Sequence, residues 1–177
     1  MIRLRKAVPA DLDYLVRTDL MDEAAILPEV EMTSEEKTQH REKIAKFVSD
    51  PSRGAWIFEE EASKRQIAAI VYSIANRDQE YPWKTIYHEL ERSLFQEDGR
   101  FIEIFNLWVE PEYRRLGLAT KLKQQLEEEA RERGIDLIYT HTQYDHVIEL
   151  NKKLGYTEVR RGPIWDSVIR VSLVKSL

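Results

Sequence analysis

The chain has 177 residues, of which 42% are hydrophobic and 33% charged, with a net charge of -5 and no cysteine. That size and apolar content fit one globular domain over residues 1–177. The lack of cysteine excludes disulfides, thiolate nucleophiles and cysteine metal sites, and the acidic balance argues against a broad nucleic-acid-binding face. The N-terminus, Met1 to Lys6, lacks the apolar core of a signal peptide, and no apolar run is long enough to span a bilayer. A cytoplasmic protein without membrane or nucleic-acid partners is expected.

In chain order, Ile2 and Leu4 alternate with basic residues and predict a short strand. Pro9-Ala10-Asp11 opens a helix with Leu12, Leu15, Val16 and Leu20 on one face. Residues 21 to 32 read as acidic and irregular, with Pro28 as a breaker. Thr33 or Ser34 caps a second, rather exposed helix that ends at Asp50-Pro51. Ala55 to Phe58 and Ile67 to Ile74 predict a hairpin. Residues 76 to 100 are polar and aromatic, and a helix is expected from Trp83 to Phe95. Then follow a strand over 101–109, a helix over 117–133, a strand over 135–141, a helix over 145–154, and strands near 156–161 and 165–175. Gly134 and Gly155 stand where helices end. On the third helix, Glu127–Arg131 and Glu129–Arg133 form i,i+4 pairs that read as a solvated face. Trp108 and Trp165 are expected in the core. The alternation of helices and strands, closed by a hairpin, predicts an α/β domain with one central sheet and helices on both faces.

The run Val109 to Thr120 joins strand to helix through a tight basic turn. The first turn of a helix offers N–H groups without intrahelical partners and a partial positive charge, so an anion fits there. Arg114 and Arg115 add fixed charge, and Gly117 and Ala119 allow close approach to the backbone. A phosphate-bearing ligand is therefore expected at this turn.

Arg114-Arg115-Leu116-Gly117-Leu118-Ala119 resembles the Gln/Arg-x-x-Gly-x-Gly/Ala signature of the GCN5-related N-acetyltransferase superfamily. The run Val109 to Arg114, the corner Leu154-Gly155-Tyr156 and the order of elements support the resemblance, which is clearest over residues 101 to 160. It implies a mixed, mostly antiparallel sheet of the acyl-CoA N-acyltransferase type. It also implies acetyl-CoA as co-substrate without a metal, a primary amine of a small molecule or peptide as acceptor, and direct attack in a ternary complex. Backbone N–H groups of Leu116, Gly117, Leu118, Ala119 and Thr120 would hold the pyrophosphate. Main-chain groups of Leu107 and Val109 would hold the pantetheine and polarise the thioester carbonyl.

An amine of pKa near 10.4 must lose a proton before it attacks, which calls for a base. Glu103 lies in an otherwise apolar strand, where burial would raise its pKa, and its distance from the glycine motif resembles that of the glutamate base in the family's histone-acetylating members. The competing reading is a carboxylate at the strand's start that faces solvent. The position where many members carry a tyrosine, expected to protonate the leaving thiolate, is Asn151 here, which cannot act as an acid but can hydrogen-bond the pantetheine. Tyr144, two helical turns earlier, is the candidate acid; Tyr139, or water, is the alternative. His141 and His146 read as structural, with a polar contact from His141 to substrate left open. The acidic and aromatic bias of residues 76 to 100 suits a cationic acceptor, against the plainer reading of a solvated helix. Two further readings stand beside the enzyme: a non-catalytic acyl-CoA-binding module, and a P-loop nucleotide binder that the missing Gly-Lys-Ser/Thr disfavours. The terminal segment Ile164 to Val174 is a candidate for strand pairing across a homodimer.

Overall fold

The structure, a computed structural model, describes residues 1–21 and 32–177. The acidic segment around Pro28 lies outside the described residues. The described strands are β1 Ile2–Lys6, β2 Arg53–Glu60, β3 Arg65–Asn76, β4 Arg100–Val109, β5 Leu137–Thr142, β6 Thr157–Gly162 and β7 Arg170–Ser176. The described helices are α1 Leu12–Leu20, α2 Ser34–Ser49, α3 Leu118–Glu132 and α4 Asp145–Lys153. The strands form one open sheet in the order β1-β2-β3-β4-β5-β7-β6. The β4–β5 pair is parallel, whereas β1–β2, β2–β3, β5–β7 and β6–β7 are antiparallel. The expected mixed, mostly antiparallel sheet is therefore present.

The chain divides into two compact units, Met1–Ser73 with Phe105–Lys123, and Ile74–Ile104 with Gln124–Leu177. In the first unit, period-2 alternation puts Ala55 and Ile57 of β2 beside Ala69 and Val71 of β3 on one face. Tyr14 and Leu15 of α1 and Ile44 and Phe47 of α2 cover that face. Helix α2 begins with a reciprocal capping box: Glu36 N–H donates to Thr33 Oγ1 at 3.1 Å, and Thr33 N–H donates to Glu36 Oε2 at 3.0 Å. The guanidinium of Arg5 on β1 reaches Asp11 at 2.7 and 2.8 Å and Glu59 of β2 at 2.9 Å. Because Val8 N–H and Gln66 also donate to Asp11, that buried carboxylate is fully held, and the chain's first turn is tied to the hairpin.

In the second unit, β7 lies between β5 and β6. Both of its edges are used, so the strand pairing across a homodimer expected for Ile164 to Val174 has no open edge there; the sheet's edge on this side is β6. Strand β7 also begins only at Arg170. Asp166 holds the preceding segment as a loop by accepting from Val168 N–H at 2.9 Å and from Arg170 at 2.6 Å. Trp165 on this loop is 57% exposed, which corrects its expected place in the core.

The helix expected from Trp83 to Phe95 is absent; only the 3-10 turns Tyr87–Glu89 and Arg92–Leu94 form. Guanidinium groups take the place of the helical ladder. Arg77 donates to the carbonyls of His88 and Leu90 at 3.1 and 3.2 Å. Arg92 donates to those of Phe95, Gln96 and Glu97 at 3.1, 2.9 and 2.7 Å. Each carbonyl so satisfied needs no i+4 amide. Glu127 is another correction: it is buried, and its carboxylate pairs with Lys175 of β7 rather than lying on a solvated face with Arg131. Gly134, at φ +68°, ends the α3 segment in the left-handed conformation expected of it.

Candidate active site

Two groups of candidate residues are present, one in each unit. In the first unit, β4 ends at Val109, a 3-10 turn runs over Pro111–Tyr113, and the chain enters α3 at Leu118. The reversal uses two left-handed residues, Arg115 at φ +66° and Gly117 at φ +78°. The first helical bond of α3 runs from Lys121 N–H to the Gly117 carbonyl at 3.1 Å. The N–H groups of Leu118, Ala119 and Thr120 therefore precede the helical ladder and have no intrahelical acceptor. A Cβ built on Gly117 would meet nothing within 4 Å, so the space beside these amides is open. Leu116 and Arg115 are exposed beside it. An open cradle of unpaired amides at the positive end of a 15-residue helix suits a phosphate.

Arg114 is fixed rather than free-swinging. Its Nε donates to the Val109 carbonyl at 2.9 Å, and its guanidinium lies 4.8 Å from the centroid of the Trp108 ring. Trp108 is 7% exposed, as expected for a core residue, and its indole N–H donates to Glu110. Glu110 in turn accepts from Arg17 of α1 at 2.5 Å. These contacts brace the end of β4, the strand that carries Leu107 and Val109.

In the second unit, Glu103 lies on β4 opposite Tyr139 of β5. Its carboxylate is half-buried and accepts the Tyr87 hydroxyl. Burial is the larger influence and pushes its pKa up to about 7, while the Tyr87 hydrogen bond pulls it down. The solvent-facing reading of Glu103 is thus set aside. Tyr139 is 1% exposed; its hydroxyl shares a hydrogen bond with Ser172 at 2.9 Å and lies 3.4 Å from His141 Nδ1. Burial lifts the Tyr139 phenol well above its ordinary range. Burial, then the Arg170 charge, lowers His141 to about 4, so its ring is neutral at neutral pH. The Trp165 ring stands 5.4 Å from that of His141.

Tyr144 is the residue before α4: its carbonyl accepts from Val147 and Ile148, and its half-buried ring lies 6.0 Å from that of His146. Asn151, on α4, is 1% exposed. Its carbonyl accepts from Leu154 at 3.1 Å and from Tyr156 at 3.0 Å, which ties the helix end to the Leu154-Gly155-Tyr156 corner. The acidic residues of the 76–100 segment are partly matched within it and nearby. Asp78 pairs with Arg92 at 3.1 Å, Asp98 with Arg100 at 2.9 Å, and Glu89 with Arg160 at 3.4 Å. These pairs take up part of the segment's negative charge, while the solvated helix of the plainer reading does not form. Tyr87 is the residue that sequence reasoning missed. In the sequence it counts only towards the aromatic bias of residues 76 to 100, and nothing local connects it to Glu103.

Among the described residues, no group of three or more His, Asp or Glu is placed to hold a metal ion. No described helix is long and apolar enough to cross a membrane.

The sequence matches the family model described as the acetyltransferase (GNAT) family over residues 19–156. No curated protein matches it. Among solved structures, it is similar to NAA60 of Arabidopsis thaliana in complex with acetyl-CoA, at 18% identity and a TM-score of 0.74, covering 100% of this chain and 99% of that one. It is also similar to a GCN5-related N-acetyltransferase from Ralstonia eutropha, at 22% identity and a TM-score of 0.68, covering 89% and 93%. A third similar structure is PaiA N-acetyltransferase from Thermoplasma acidophilum in complex with coenzyme A, at 15% identity and a TM-score of 0.67, covering 100% and 99%. The chain belongs to the acetyltransferase (GNAT) family.

Proposed function

We propose that the chain, working as one domain, transfers the acetyl group of acetyl-CoA to a primary amine of a small molecule or peptide by direct attack in a ternary complex. In this reading the amides of Leu116, Gly117, Leu118, Ala119 and Thr120 bind the pyrophosphate, with the charges of Arg114 and Arg115 beside them. Main-chain groups of Leu107 and Val109 hold the pantetheine and the thioester carbonyl, and the Asn151 side chain adds a pantetheine contact. Glu103 takes the proton of the bound ammonium. The amine nitrogen then bonds to the carbonyl carbon; as the C–S bond breaks, that nitrogen gives its second proton to water and the thiolate leaves with a proton from Tyr144 or water. No cysteine is present to form an acyl-enzyme, which supports direct attack.

The observation that carries the reading is Glu103: a half-buried carboxylate on the strand that ends at the phosphate turn, poised near pH 7. The absence of cysteine also fits a reducing, cytoplasmic setting. A dimer built by strand addition would use an edge strand, β1 or β6, rather than β7.

The test is CoA thiol release with acetyl-CoA and a panel of spermidine, free lysine and a tetrapeptide with a free N-terminus. Turnover of at least one amine is expected, and Glu103→Gln should lower its rate most above pH 7, where the wild-type carboxylate is ionised, with the gap narrowing as pH falls. Unchanged activity in that variant removes Glu103 from the mechanism. Asn151, standing where a tyrosine is usual, favours the second reading of a non-catalytic acyl-CoA-binding module. Tight acetyl-CoA binding without transfer to any panel member would select that reading.

A further inference from the structure

We propose that Tyr87 is a positioning residue for acetyl transfer, its hydroxyl fixing the Glu103 carboxylate for proton removal; the role rests on Glu103 being the base. The geometry is specific. Phe101 and Glu103 are two apart on β4 and so share one face of the strand. The Tyr87 ring packs edge-on against Phe101 at 4.8 Å, and its hydroxyl reaches Glu103, so the phenol lies along the strand. Tyr139, the register partner of Glu103, meets the same ring edge-on at 5.8 Å, and Tyr81 meets it at 6.0 Å. Tyr87 is 7% exposed, so neither its ring nor its hydroxyl has freedom to leave.

The segment that carries it is built for delivery. Arg77 clasps the carbonyl of His88, within the 3-10 turn that starts at Tyr87, and that of Leu90, just after it. Residues 76–100 thus bring a phenol to a carboxylate, which local pattern had no means to show.

The chemical consequence follows from which form of Glu103 is held. Tyr87 donates, so it stabilises the ionised carboxylate and occupies Oε2, leaving Oε1 for the ammonium proton. Burial pulls the other way, and the two influences leave the group near pH 7. The other titratable groups on this side are the phenols of Tyr139 and Tyr81. Beyond them Arg160 of β6 acts on Tyr139, and His141 of β5 is neutral. The phenol of Tyr87 is itself pushed far above its ordinary range by burial and the neighbouring carboxylate, so it keeps its proton throughout. Glu103 takes its proton from the ammonium before the C–N bond forms, and Tyr87 neither gives nor takes one.

The experiment compares wild type, Tyr87→Phe and Glu103→Gln. Tyr87→Phe keeps the ring packing and removes only the donor. Carboxyl carbon-13 NMR, with the Glu103 signal assigned by its loss in Glu103→Gln, follows the titration without any acceptor. The pH profile of kcat uses whichever of spermidine, lysine or the tetrapeptide is turned over fastest. In Tyr87→Phe the Glu103 titration and the acid limb of kcat should both move up by about one pH unit, so kcat at pH 6 falls about tenfold. The KM for acetyl-CoA should not change. A Glu103 titration and acid limb that stay in place in Tyr87→Phe, while Glu103→Gln lacks the limb, overturn the role of Tyr87 alone. An acid limb that survives in Glu103→Gln overturns the base assignment and the role of Tyr87 with it.

Discussion

Gly117→Ala probes the phosphate turn with a single methyl group. The position has φ +78°, and the new Cβ would meet nothing within 4 Å, so there is no steric term to account for. What remains is the cost of holding an L-residue in the left-handed region, about 1–2 kcal/mol. That cost must surface in one of two places. If the turn keeps its shape, the folded state carries the strain, and Tm falls by about 2–8 °C for a chain of this size. If the turn relaxes, Tm is preserved, and acetyl-CoA must restore the cradle when it binds, which weakens its affinity by about 5–30-fold. The two effects, converted to free energy, should sum to about 1–2 kcal/mol, the left-handed penalty. Thermal melts and calorimetric titration with CoA read both terms. A variant unchanged in Tm and in CoA affinity would refute the argument that this backbone geometry builds the donor site. Arg115→Gly, at φ +66°, is the matched control: it relieves the same kind of strain and should raise Tm while weakening CoA through its lost charge.

Three more expectations follow from other parts of the structure. Lys175→Met leaves the buried Glu127 carboxylate without its partner, and should destabilise by about 1–3 kcal/mol in urea unfolding, with Glu127→Gln in the same background recovering part of the loss. Arg92→Met removes the donor to three carbonyls, and should speed amide hydrogen exchange between residues 92 and 99 while leaving β5 and β7 protected. His141, depressed to about 4, should show no imidazole titration by NMR between about pH 5.5 and 9. Because the unfolded chain binds that proton near pH 6.5 and the folded one does not, this residue should lower stability as pH falls from about 6.5 towards 4, an effect absent in His141→Gln.

By itself, the sequence determined whatever depends on neighbours a few residues apart. Thr33 and Glu36 announce a capping box because both partners lie within one helical turn. The phosphate turn was legible because Arg114 to Thr120 carry charge, missing side chains and a helix start in consecutive positions. Continuous apolar runs placed β2, β3 and β4 within a few residues of their observed bounds, since consecutive residues of these strands are buried on both faces. Tertiary structure decided whatever depends on residues distant in sequence. The spacing of Ile86, Leu90 and Leu94 imitates a helix, yet Arg77 and Arg92 satisfy the carbonyls from outside and the segment stays irregular. Glu127 carries an i,i+4 arginine that it does not use, because Lys175 on β7 stands closer in a buried setting. Glu103 could be seen as an oddity in an apolar strand, but its ionisation depends on burial and on a phenol sixteen residues earlier in the chain. Local pattern reports which groups the backbone forces together; the desolvation and hydrogen bonding that tune a carboxylate are set by groups that only the packed fold brings near it.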